Sequence, residues 1–147
     1  MSANTKTSTS SAGFVLDSYA IMAYLKDEPG ADRVQELLLE ADASRVSLHM
    51  CLVNYGEVLY VTERRWGQVR LQRVMARVEG WPLVIEPVDR RLVKQAAHLK
   101  AHYPISYADS FAVALAQMLD MPVVTGDPEF ANLDAEVGIE WLVPRPV

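Results

Sequence analysis

Between Ser106 and Leu119 the chain is apolar on nearly every side, and after Asp109 its main polar interruptions are Ser110 and Gln117. A helix of that character has to be enclosed by other elements on nearly every side. Its flanks say what encloses it. Pro122 to Val124 is a short apolar run that reads as a buried strand, and Pro128, just past Asp127, fixes the turn that follows. Comparable runs occur at Gly13 to Leu16, Val46 to Leu48, Leu83 to Ile85 and Gly138 to Val143. Helical spacing fills the gaps: Ser18 to Leu25, about Ala31 to Ala41, Met50 to Arg65, Gln68 to Glu79, and a helix capped by Asp89 that runs to His102. Alternation of this kind predicts an α/β fold, a three-layer α/β/α sandwich. Its central sheet is expected to be mostly parallel, with four or five short strands.

At 147 residues the chain is expected to form one domain, residues 13–147, behind a Ser/Thr-rich leader, residues 1–12. The leader has no apolar stretch of the kind a signal peptide carries and is expected to be a disordered tail. No apolar run reaches bilayer length, so no membrane is expected. The single cysteine, Cys51, excludes an internal disulfide framework and suits a reducing, cytoplasmic setting. His49, His98 and His102 lack the paired spacing of a zinc site. A net charge of −5 argues against nucleic acid unless several acids surround a cation.

Four acids can be such a set. Asp17 ends the first strand, Asp127 ends the fourth, and Asp109 opens the helix that feeds the fourth. Glu57 has Val53 and Val61 one turn to either side, so it lies on or beside an apolar stripe with no Lys or Arg three or four residues away. Each has a local explanation as well. Asp17 and Asp127 can cap the helices after them, Ser106 with Asp109 forms a capping box, and Glu57 can sit on a solvated face. In a parallel sheet, however, Asp17 and Asp127 come to one edge, with Asp109 and Glu57 able to reach it. Carboxylates about 4 Å apart repel by several kcal/mol at an effective dielectric near 20, so they take up protons or a cation. All-oxygen donors select Mg²⁺, or Mn²⁺, over zinc. Such an ion polarises a phosphodiester and activates water without a side-chain nucleophile.

The segments Phe14-Val15-Leu16-Asp17-Ser18, Asn54-x-x-Glu57, Ala108-Asp109-Ser110-Phe111-Ala112-Val113-Ala114 and Val124-Thr125-Gly126-Asp127-x-x-Phe130 resemble the motifs of PIN domains. Within those, size and spacing are similar to VapC-type toxins of bacterial toxin–antitoxin pairs, over roughly Phe14 to Val143. The resemblance implies a metal-dependent endoribonuclease that cuts structured RNA of the tRNA or rRNA class. It further implies a homodimer silenced by a small antitoxin. By position, Asp17 and Asp109 would be the firmest metal ligands, completed by Glu57 and Asp127. Ser18, Asn54 and Thr125 would steady these ligands or position water. Glu129 stands where relatives often have Asp.

Arg70, Arg73 and Arg77 form a basic stripe at helical spacing, a solvated face or a track for RNA phosphates; Arg64-Arg65 and Arg90-Arg91-Lys94 are similar candidates. Tyr24, Leu25, Leu37 and Leu38 are expected mainly in the core, with part of that surface available to an antitoxin helix. Two other readings are open: a PIN-like binding module without turnover, and a phosphoryl-accepting signalling domain. The second wants adjacent acids after the first strand, where Asp17-Ser18 stands, and a lysine after the last strands, where there is none beyond Lys100.

Overall fold

The structure, a computed structural model, describes residues 12–146; residues 1–11 of the expected leader lie outside the described residues, and Ala12, expected to end it, belongs to the first strand. The first strand, β1 (Ala12–Leu16), leads into α1 (Ser18–Leu25) and α2 (Ala31–Asp42). Next come β2 (Val46–Cys51), α3 (Leu52–Trp66), α4 (Gln68–Glu79) and β3 (Val84–Glu86). The chain continues through α5 (Arg90–His102), α6 (Tyr107–Leu119), β4 (Val123–Thr125), a 3-10 turn (Pro128–Asn132) and β5 (Ile139–Trp141).

The strands form one five-stranded sheet in the order β3-β2-β1-β4-β5, and every pairing is parallel. Period-2 alternation sends Val15 and Val123 to one face of the sheet and Leu16 and Val124 to the other. The first face is covered by α5, α6 and the turn carrying Phe130, the second by α1 to α4. Strand order reverses between β1 and β4, which lie next to each other although α1 to α6 separate them in sequence. That crevice is where open α/β sheets hold ligands.

Helix α6 is enclosed as its composition requires: every residue from Asp109 to Ala116 is buried. Strand β2 is longer than expected, because Met50 and Cys51 belong to it and α3 begins only at Leu52. The run is apolar on both sides because β2 is interior to the sheet. Met50 packs into one core and Cys51 into the other, a pattern that periodicity alone does not separate from a helix start. Gly67 alone links α3 to α4, at φ +86°, a conformation that side chains with a Cβ rarely adopt.

Helix α5 starts at Asp89, whose carboxylate accepts the Leu92 amide at 2.8 Å. Asp89→Ala is expected to cost about 1 kcal/mol of stability in a urea titration. An unchanged midpoint would show that the cap contributes nothing.

Candidate functional site

Register places the first acid. Val15 pairs with Val123 and Leu16 with Val124, so the next residue, Asp17, comes level with Thr125. The Thr125 hydroxyl donates to Asp17 Oδ2 at 2.5 Å, and the Ala20 amide donates to Oδ1 at 2.9 Å. Asp17 is thus the N-cap of α1 as well as a site acid, and it is 1% exposed. Thr125 Oγ1 also accepts the Asp127 amide at 3.0 Å, so a single hydroxyl fixes both strand-end acids. Ser18 opens α1 directly after Asp17 and is half-buried.

The second side of the site comes from the start of α6. Ser106 caps that helix through the Asp109 amide at 3.1 Å. The first turn then projects the Asp109 carboxyl beside Asp127 and Glu129, and an oxygen from each of the three lies within 4.8 Å of the others. Glu129 Oε1 also accepts the Ser106 amide at 3.2 Å, and the Glu129 amide donates to Asp127 Oδ1 at 2.9 Å. Glu129 is not among the four acids that the sequence marks as a site. The 3-10 turn after Pro128 nonetheless folds it back over Asp109, and the Asp127-Pro128-Glu129 spacing was the available signal.

The third side is α3. Asn54 is fully buried, and its Nδ2 donates to Glu57 Oε1 at 3.1 Å and to the Ala108 carbonyl at 3.0 Å. One amide therefore ties Glu57 to the start of α6. Asn54 Oδ1 is buried and accepts no hydrogen bond from the described residues, leaving an acceptor free for a donor such as water. Glu57 is half-buried and, with Asp17, stands outside the tight trio of Asp109, Asp127 and Glu129.

The charges nevertheless converge. Burial pushes the Asp17 carboxyl up from 3.8 to about 7; the Thr125 and Ala20 bonds oppose this, and the charges of Asp127 and Glu57 add to it. Asp109 is raised as well, first by burial, then by a carboxyl hydrogen bond with Glu129 and by the charges of Asp127 and Asp17. A cluster that must be partly protonated when empty is one that a cation relaxes. Its donors are all oxygens, which fits a hard divalent ion. Thr125→Val removes the hydroxyl that steadies the Asp17 carboxylate and is expected to cost about 1–3 kcal/mol near neutral pH. Thr125→Ser should recover most of that loss in the same denaturant titration; equal stability of the Val variant would remove Thr125 from this role.

Of the α4 arginines, Arg70 lies over the Trp66 ring at 4.7 Å, and Arg77 lies over Tyr24 at 5.3 Å and donates to its hydroxyl. Arg73 is exposed. Trp81 packs edge-on against Tyr24, and Leu37 and Leu38 are buried. Among the described residues no helix is long and apolar enough to cross a membrane.

A family model described as the PIN domain matches residues 14–136. Ribonuclease VapC42 of Mycobacterium tuberculosis is 26% identical over 129 residues, covering 82% of this chain and 95% of that protein. Ribonuclease VapC30 of the same organism is 28% identical over 127 residues, covering 82% and 94%. Among solved structures, DNA-bound VapBC from Salmonella typhimurium superposes with a TM-score of 0.71 at 18% identity, covering 90% of this chain and 99% of that one. That likeness is one of fold.

Proposed function

The chain belongs to the PIN domain family, and on that premise we propose that it is a metal-dependent endoribonuclease, the toxin of a toxin–antitoxin pair. The observation that carries the reading is the trio of Asp109, Asp127 and Glu129 at the β1–β4 switch point, with Asp17 and Glu57 close enough for their charges to be felt in the same cluster. The ribonuclease names of the two mycobacterial relatives support the same activity.

Asp17, Asp109 and Asp127 are the proposed ligands of the ion, with Glu57 and Glu129 completing its surroundings. Mg²⁺ is the proposed ion, with Mn²⁺ as substitute. When bound, it supplies Lewis-acid polarisation of a phosphodiester and a water acidified enough to attack near neutral pH. The chain's own residues supply position. Thr125 holds Asp17 and the Asp127 backbone, Asn54 holds Glu57 against α6, and Asn54 Oδ1 is left to orient a water. Ser18 adds a hydroxyl beside Asp17. The substrate is proposed to be structured RNA of the tRNA or rRNA class, with Arg70, Arg73 and Arg77 as phosphate contacts. A homodimer in the cytoplasm, covered by a small antitoxin, completes the proposal; the solved structures of toxin–antitoxin complexes with this fold support that partner.

The test is incubation of the purified protein with total RNA in Mg²⁺, Mn²⁺ or EDTA, followed by sequencing of the new ends. Cleavage at defined positions in either metal, absent in EDTA, is expected. Cleavage undiminished by EDTA would overturn the reading.

A further inference from the structure

Helix α5 opens with Arg90 and Arg91 in its first turn and Lys94 in its second, without an acid in the first turn. Cations there oppose the positive end of the helix dipole, and the Asp89 carboxylate just before them is taken up by the Leu92 amide. The three cations line a groove of about 670 Å³ between α5 and α6, together with Gln95, Gln117 and Met118. Among the described residues none of the three forms an ion pair, whereas Arg33 pairs with Glu36 and Glu140, and Arg145 with Asp134. The polar floor is held in place. Gln95 Nε2 donates to Gln117 Oε1 at 2.6 Å, and Gln117 Nε2 donates to the Glu136 carbonyl and carboxylate, each at 3.0 Å. A fixed floor under unpaired cations at a helix N-terminus is complementary to an anion.

The groove is not isolated from the acids. Helices α5 and α6 are joined by the short Tyr103–Ser106 connection, and Ser106 is bonded both to Asp109 and to Glu129. The C-terminal end of α5 therefore abuts the acidic site, while its N-terminal end carries the groove. The 13 residues of α5 correspond to about 20 Å between the two. Arg91, Lys94, His98 and His102 share one exposed side of that helix at i, i+3, i+7 and i+11, and the two imidazoles lie 4.4 Å apart.

We infer that this α5–α6 groove is a second contact for RNA, taking backbone phosphates of the same strand whose scissile bond lies at the carboxylates. The inference rests on the ribonuclease reading for its choice of polyanion. One continuous phosphate chain satisfies both the unpaired cations and a cation-loaded acidic site, and the α5 ridge gives it a path between them. An acidic peptide would account for the groove alone.

The experiment measures binding of a labelled single-stranded 20-nucleotide RNA in EDTA across a salt series. It compares the wild-type protein with the combined Arg90→Gln, Arg91→Gln, Lys94→Gln variant and with Arg45→Ala as a charge control. The triple variant is expected to bind about tenfold more weakly near 0.1 M salt, and its log–log salt slope should fall by about 2, from about 0.7 per phosphate contact. Arg45→Ala should leave the slope unchanged, and cleavage of a dinucleotide, too short to reach the groove, should be the same in wild type and triple variant. If circular dichroism shows the triple variant unfolded, Lys94→Glu alone should still weaken RNA binding severalfold. Equal affinity and slope in the wild type and the folded variant would overturn the inference. So would loss of polyglutamate binding with RNA binding intact, which would assign the groove to an acidic peptide. Weaker RNA binding by the variant, in a protein that cuts RNA under no metal, would support the groove while removing the ribonuclease reading.

Discussion

Replacing Asp109 by Asn is expected to reduce RNA cleavage about 1000-fold or more while the chain stays folded. A held divalent ion contributes several kcal/mol of charge stabilisation at the reacting phosphodiester, and each 1.36 kcal/mol is a factor of ten in rate. Asn keeps the shape of the side chain and one oxygen but gives up the negative charge. The fold has little reason to object. The Ser106 cap of α6 uses the Asp109 backbone amide, which the substitution leaves in place. The new Nδ2 can donate to the Glu129 carboxylate, whose proximity helps to hold the Asp109 pKa up. Removing one acid also lowers the repulsion on Asp17 and Asp127. The thermal midpoint in EDTA should therefore stay level or rise while activity collapses. A folded Asp109→Asn protein that kept more than about a tenth of wild-type cleavage would dismiss Asp109 as an essential ligand, since a lost ion should cost far more than one factor of ten.

In EDTA the protein is expected to lose stability as pH rises from about 4 to 7. The Asp17 carboxyl titrates at about 7 in the folded chain, against 3.8 as its ordinary value. Between those values the folded protein holds a proton that the unfolded chain has released, so unfolding becomes easier with each step in pH. Below the lower value both forms are protonated and the term vanishes; above the upper value the full cost is present. For a group this buried the cost is on the order of 4 kcal/mol at 1.36 kcal/mol per unit, with Asp109 adding in the same direction. A divalent ion binds the deprotonated cluster, so its stabilisation should grow with pH. Excess Mg²⁺ is worth about 2.7 kcal/mol at a hundredfold over its dissociation constant. Thermal melts with and without Mg²⁺ at pH 5 and pH 8 read both effects. A Mg²⁺-induced shift as large at pH 5 as at pH 8 would mean that the ion does not displace protons from these acids.

Much of the architecture could be read before any coordinates because local and long-range signals agree. Ser106 and Asp109 announce the start of α6, Asp89 announces α5, and the apolar run behind Asp109 requires enclosure on all sides. Three of the four acids are placed by strand ends or a first turn, which the sequence marks with Asp-Ser and Asp-Pro; Glu57, in the second turn of α3, is marked by the valines one turn to either side. Three features were hidden for physical reasons. Met50 and Cys51 are apolar on consecutive positions, which suits an interior strand and a buried helix start equally. Asp127-Pro128-Glu129 marks the 3-10 turn locally, but Glu129 owes its place over Asp109 to the bond with Ser106, a contact across 23 residues. The difference between the arginines of α4 and the cations of α5 is tertiary as well. Arg70 and Arg77 meet aromatic rings contributed by Trp66, Tyr24 and Trp81, whereas Arg90, Arg91 and Lys94 meet a cavity.

The bond from Thr125 to Asp17 spans 108 residues, and that span sets how late in synthesis the acidic site can be completed. A ribosome that has translated as far as α6 has made Asp17, Glu57 and Asp109 but not the hydroxyl that clamps the first of them, nor Asp127. The neighbour of β1 on that side, β4, is likewise not yet made, so the acidic site lacks one wall until nearly the whole message has been read. On the proposed function, growing chains and prematurely terminated fragments would therefore be inactive, and an inhibitor would be needed only from the last stretch of synthesis onward.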